Sequence, residues 1–242
     1  MNMLKIGIIV ADIDEYKSLK EFIESREFSA YDFLGRTAHK FTIKTDRSSA
    51  EVISILCGIG KVNAAAAAMH LCDIGCNVIL NYGLSGGISN VHKGELCLCD
   101  AFLEHDFDLT GIGYKLCEKP LQKYIYKANN ELLQLFCEKV LEINKGTAVS
   151  GDRFICDAAV RNSLRDNFGA MSCDMETAAI AYVCDFADVP FLSLRKISDD
   201  AGESAIDSYR EMNLYAQAEL SSFILKLIEV MINCSYEGKK YE

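Results

Sequence analysis

The chain alternates short apolar runs with helix-forming stretches, and that alternation predicts a three-layer α/β/α domain. Three observations carry the reading. Residues 4–10, LKIGIIV, suit a strand buried on both faces. Residues 51–57 lead through Gly58-Ile59-Gly60-Lys61-Val62-Asn63 into AAAAAMHLCDIG, which reads as strand, glycine turn and helix. Residues 177–188, TAAIAYVCDFAD, hold no Pro or Gly and are followed by Pro190 and the apolar run 191–195. That pattern predicts a helix–strand unit with charge at the C-terminal edge of its strand, where open α/β sheets hold ligands.

In chain order, the first strand gives way to the acidic turn Ala11-Asp12-Ile13-Asp14-Glu15, which opens a helix toward Glu24. Acidic side chains at a helix N-terminus complement its dipole. Residues 41–44 and 51–57 suit further strands, as do 78–82 and 95–102. Gly83-Leu84-Ser85-Gly86-Gly87 follows the 78–82 strand at once, and glycines there admit close backbone approach or a positive φ. Residues 132–141 read as helix, 148–149 lead into Ser150-Gly151-Asp152-Arg153-Phe154-Ile155, and 205–234 read as one long amphipathic helix, straight or kinked. No linker rich in Pro or Ser divides the 242 residues, so one domain over 1–242 is expected.

Half of the residues are hydrophobic, enough for a sizeable core. A net charge of −10, with a pI near 5.0, speaks against nucleic acid and anionic membranes as partners. It leaves a small uncharged or zwitterionic substrate open. Of eleven cysteines, Cys57, Cys72, Cys97, Cys99 and Cys184 lie in apolar strings, which reads as reduced, buried side chains in a cytoplasmic protein. Cys97 and Cys99 alternate along a strand, and Cys72 and Cys76 stand four apart on a helix. Neither pair has a histidine or a second pair at ligand spacing, so no metal is expected. No apolar run approaches about 18 residues, and the N-terminus has too brief a one for a signal peptide. GIGKVNA is neither a Walker A loop nor GxGxxG, because Asn63 stands where the third glycine would be.

Seven segments in order resemble the purine nucleoside phosphorylase/nucleosidase superfamily, in particular its 5′-methylthioadenosine/S-adenosylhomocysteine nucleosidases. They are KIGIIVADIDEY (5–16), GIGKVNAA (58–65), NYGLSGGI (81–88), HDFDLTGIGY (105–114), SGDRFI (150–155), DMETAAIAYVC (174–184) and VPFLSLRKISDDAG (189–202). The resemblance implies a mixed, curved central sheet of nucleoside phosphorylase type. It also implies a homodimer with shared active sites and a purine nucleoside substrate, and it implies no cofactor. Asp199, next to Ser198, matches the residue that protonates N7 of the leaving adenine. Glu176 matches the one that holds the ribose hydroxyls, with Met175 under the sugar and Asp174 opening the motif. Glu15 matches the residue that activates water, and Arg195 the one that helps place it. Phe154 matches the aromatic that stacks on the base, and the backbone of Ile155 reads the purine edge. Ser85 and Gly86 belong to the glycine loop beside the substrate. Ile59, Tyr209 and Asp12 fall around the 5′ pocket, with Ile112 and Pro120 expected from the partner subunit.

Breaking an N-glycosidic bond needs these residue types. A protonated base leaves more readily, which asks for a carboxyl whose pKa is raised by burial or nearby negative charge. The attacking water needs a base, as in inverting glycoside hydrolysis. Phosphorolysis would need arginines for phosphate, yet Asn81 stands where the bacterial phosphorylases carry one, and residues 12–15 are acidic. Three positions depart from the family pattern: Leu84 replaces a serine, Asp174 replaces the longer acid, and Asp12 replaces an apolar residue. A phosphorylase and a non-catalytic nucleoside-binding protein are the alternatives, and methylthioadenosine, S-adenosylhomocysteine, adenosine and inosine all remain open as ligands.

Overall fold

The computed structural model describes residues 3–212 and 214–239. Its elements are β1 (Leu4–Val10), α1 (Ile13–Glu24), β2 (Phe28–Phe33), β3 (Arg36–Lys44), β4 (Ser49–Leu56), α2 (Lys61–Asp73) and β5 (Val78–Gly87). They continue with β6 (Leu96–Glu104), a short 3₁₀ turn (Thr110–Ile112), β7 (Tyr126–Lys127), α3 (Asn130–Lys139), β8 (Asn144–Ser150), α4 (Ala158–Phe168) and β9 (Ala170–Asp174). Last come α5 (Thr177–Phe186), β10 (Phe191–Asp199), α6 (Ala205–Glu211) and α7 (Leu214–Asn233).

The central sheet is mixed, and it is curved because part of it closes on itself. β10 pairs with β5 in parallel and with β6 antiparallel, and β6, β8 and β9 lead back to β5. Five strands therefore form a ring. From β5 the sheet also continues outward through β1, β4, β3 and β2. Register shifts near Asp199, Cys99 and Thr147 mark where the ladders bend, as bulges do. The apolar run of β1 is buried from Ile6 to Val10, as a strand flanked by parallel neighbours should be. α1, α3 and α7 pack together against part of the sheet, and α2 and α5 pack as a pair against β1, β6 and β8, giving three layers.

Four expectations change. β5 runs on through its glycines to Gly87, none of which has positive φ, so these glycines serve close approach rather than a turn. β10 runs on to Asp199, carrying the charged Arg195 and Lys196 inside the ladder. The single helix expected over 205–234 is two, because Met212 is extended at φ −62° and ψ 114°; α6 turns toward the ligand cavity while α7 packs on α1 and α3. Cys76 lies beyond α2, which ends at Asp73 ahead of Gly75 at φ 84°.

Candidate active site

β1, β4, β5 and β10 run in one direction, and their C-terminal ends meet the loops after β8 and β9 around a cavity of about 300 Å³. The β1–α1 junction supplies Asp12 and Glu15, and the loop before α2 supplies Ile59. β5 supplies Ser85 and Gly86, and the loop after β8 supplies Phe154 and Ile155. Asp174, Met175 and Glu176 come from the β9–α5 junction, Ser198 and Asp199 from the end of β10, and Tyr209 from α6.

The carboxyls of the floor are held firmly. Asp199 Oδ2 accepts from the Ser198 hydroxyl at 2.6 Å, and Oδ1 accepts from the backbone N–H of Ala201 at 2.8 Å. Burial pushes its pKa above the usual carboxylate range, while these two donors pull the other way. Glu15 Oε1 accepts from the Leu84 N–H at 2.7 Å. Burial pushes Glu15 up to about 8; the Arg195 charge opposes this, and Glu176 and Asp12 add to it. Glu176 Oε1 accepts from the Gly60 N–H at 2.9 Å, and burial together with Asp174 raises its pKa.

Asp174 and Glu176 are two residues apart and differ in kind. Asp174 accepts from Ser150 Oγ (2.6 Å), Thr177 Oγ1 (2.6 Å) and the N–H groups of Glu176 and Thr177 (3.0 and 3.1 Å), and it lies 3.4 Å from Arg195 Nε. Its oxygens are occupied by the protein, so it caps α5 and anchors the arginine. Arg195 is 1 % exposed and does not line the cavity. It donates to Asn81 Oδ1 at 2.7 Å and to the Leu84 carbonyl at 3.3 Å, so it sits behind Glu15. Asn81 explains its own identity: its amide donates to the Ile9 carbonyl, and its oxygen serves Arg195 and Ser193. Gly83 gives the pair room, since a Cβ there would come within 2.5 Å of Arg195 Nη1 and 2.8 Å of Glu15 Oε2.

The rim is looser. Ile59 is 50 % exposed, Phe154 40 % and Tyr209 36 %, and the last two rings meet edge to face at 5.6 Å. Asp12 does line the cavity, but its Oδ1 also caps α1 by accepting from the Asp14 N–H at 2.8 Å. Ile112 and Pro120 lie outside this cavity, Ile112 being 72 % exposed. Sequence reasoning passed over Ala11, Cys173 and Arg153, which also line the cavity, as does Leu84, marked there as a departure from the family pattern. Arg153 stood inside the motif SGDRFI and is the one cation among the described lining residues, a signal that was available.

The sequence profile of the phosphorylase superfamily matches residues 5–232, and the chain belongs to that superfamily. It is 33 % identical to a 5′-methylthioadenosine/S-adenosylhomocysteine nucleosidase of Staphylococcus carnosus, over 93 % of this chain and 99 % of that one. It is 30 % identical to an aminodeoxyfutalosine nucleosidase of Campylobacter jejuni, over 94 % of this chain and 99 % of that one. The crystal structure of the Helicobacter pylori 5′-methylthioadenosine/S-adenosylhomocysteine nucleosidase with butyl-thio-DADMe-Immucillin-A superposes with a TM-score of 0.88 at 25 % identity, covering 95 % of this chain and 99 % of that one. Within the superfamily the chain is an enzyme, an N-glycosidase of the hydrolase class.

Proposed function

We propose that this enzyme hydrolyses an adenine nucleoside with a 5′ substituent, 5′-methylthioadenosine or S-adenosylhomocysteine, and releases adenine. One observation carries the reading: Asp199 and Glu15 present two buried carboxyls with raised pKa to one cavity, with Glu176 beside them. Phe154 stacks on the base and the Ile155 backbone reads its edge. Asp199 delivers a proton to N7, which turns the adenine into a neutral leaving group as the C1′–N9 bond breaks. Glu176 and Met175 hold the ribose. Water adds to C1′ and gives its proton to Glu15, whose pKa near the working pH suits a general base. Arg195, fixed by Asn81 and Asp174, lies close to Glu15 and its charge tempers the Glu15 pKa.

Water is the nucleophile in this reading. A phosphate here would face the carboxyls of Asp12, Glu15 and Glu176 against the single lining cation Arg153, while Arg195 is committed to Asn81, Asp174 and the Leu84 carbonyl. Asp12 at the 5′ end favours a substituent with a donor or a positive charge, which supports S-adenosylhomocysteine over methylthioadenosine. The working form is a homodimer in which Ile112 and Pro120 complete the neighbour's cavity. Exposed apolar side chains support this: Val62 is 80 % exposed, Phe186 83 % and Ile112 72 %. Adenine release from 5′-methylthioadenosine, S-adenosylhomocysteine, aminodeoxyfutalosine and adenosine, with and without phosphate, tests the substrate. Phosphate-dependent formation of a ribose 1-phosphate would overturn hydrolysis. Light scattering showing a fully active monomer would overturn the shared site.

A further inference from the structure

Outside the cavity, an ionic cluster joins two of the loops that line it. Asp106 follows β6, in the stretch that leads to Ile112. Its Oδ1 accepts from Lys61 Nζ at 2.5 Å, and its Oδ2 accepts from the Asp152 N–H at 2.9 Å. Asp152 Oδ1 in turn accepts from the Lys61 N–H at 2.8 Å, and so caps α2 from another loop. Lys61 Nζ also lies 3.8 Å from Glu104, which pairs with Lys119. Burial would raise the Asp106 pKa, but the Lys61 and Asp152 hydrogen bonds outweigh it and hold the group below the usual range. One carboxylate thus ties the loop before α2 to the loop after β8.

These two loops carry opposite sides of the site. The first holds Ile59 and presents the Gly60 N–H to Glu176 Oε1 at 2.9 Å. Gly60 does so at φ 102°, a backbone state that side chains resist. A Cβ there would also meet Asp152 Oδ1 at 3.1 Å. The second loop holds Phe154 and Ile155. Asp152 holds the Lys61 N–H, one residue from the Gly60 N–H, while Asn63 Nδ2 steadies the same loop by donating to the Ile59 carbonyl at 2.6 Å.

We infer that Asp106, through Lys61 and Asp152, is a positioning residue that fixes the Gly60 N–H on Glu176 and so orients the ribose-binding carboxylate. The inference rests on the proposed role of Glu176. Small errors in the placement of such a group cost rate steeply. The test compares kcat/KM for 5′-methylthioadenosine with that for its 3′-deoxy analogue in the wild type, Asp106→Ala, Lys61→Met and Glu176→Gln, with the thermal midpoint as a check on folding. Asp106→Ala and Lys61→Met should each cut discrimination for the 3′-hydroxyl about tenfold. Neither should reduce it further in a Glu176→Gln background. A merely structural role would lower both substrates equally. A crystal structure of Asp106→Ala should show the Gly60 N–H withdrawn from Glu176. Wild-type discrimination in both folded variants, or an unchanged Gly60–Glu176 contact, would overturn the inference. Full discrimination retained in Glu176→Gln would instead overturn the role given to Glu176.

Discussion

The floor and the rim of the cavity are built on different terms. On the floor, Glu15, Asp174, Glu176 and Asp199 are all buried, with Arg195 buried behind them, and each is held by at least one strand or helix terminus through hydrogen bonds of 2.6–3.3 Å. On the rim, Ile59, Phe154 and Tyr209 stand on loops and a short helix and are exposed by a third or more. Groups that move protons must be placed within fractions of an ångström, and only a hydrogen-bonded ladder holds them so. In the proposed reaction the rim meets the base and the 5′ substituent, where shape and charge count and loops can vary without disturbing the floor.

The largest expected effect breaks the floor. Asp199→Asn should fold normally, because an amide oxygen still accepts from Ala201, yet lose about 10²–10⁴-fold in turnover, since an amide delivers no proton. Single-turnover adenine release on the folded variant decides this.

Glu15→Gln should show the energetic side of the same floor. The folded-state pKa of Glu15 is raised from 4.5 to about 8, so the stability its protonated form contributes is present below 4.5 and is lost as pH rises to about 8. An amide cannot ionise. The variant should therefore gain on the wild type between pH 4.5 and 8, by about 2–4 kcal/mol at the upper end, at roughly 1.4 kcal/mol per pKa unit and allowing for relaxation. Denaturant melts of both proteins across that range measure it, and parallel curves would show that Glu15 titrates normally.

Rim changes should be milder and should fall on binding. Phe154→Ala removes a stacking face worth about 1–3 kcal/mol, so KM should rise with kcat little changed. A matching fall in kcat would place Phe154 with the floor instead. The smallest effect belongs to Asp12→Asn, which keeps the oxygen that caps α1 and removes only the charge. The kcat/KM ratio of S-adenosylhomocysteine to 5′-methylthioadenosine should drop by about 1 kcal/mol, the scale of one charge-assisted contact. A constant ratio would mean that the charge of Asp12 is spent on the helix alone.

Much of the floor was legible in the sequence, because its residues sit in runs with strong local signals. The apolar 4–10 run gave β1 with its observed ends, and the Pro190 stop gave the start of β10. The acids beside these elements had to fall at strand ends. What stayed hidden depends on partners far along the chain. Nothing local tells that Asp174 is consumed in part by Ser150, 24 residues earlier, or that Asn81 holds Arg195, 114 residues away. A kink in 205–234 was allowed for, but its place at Met212 and its full break into two helices were not legible, since both halves have helical periodicity and only packing separates them. β2, β7, α4 and β9 were too short, too polar or too exposed in pattern to stand out.

The strand ring has a consequence for how the protein is born. β5 leaves the ribosome complete at Gly87, but its parallel partner β10 starts only at Phe191. At about 5–20 residues per second, β5 waits on the order of 5–20 s for that neighbour. Throughout that interval the nascent chain holds Glu15 but neither Arg195 nor Asp199, so it can assemble an apolar half-sheet but not the complete cavity. The unpaired side of β5 is then an open hydrogen-bonding edge, the kind that recruits strands from neighbouring chains. Translation that stalls between residues 87 and 191 leaves that edge open for longer.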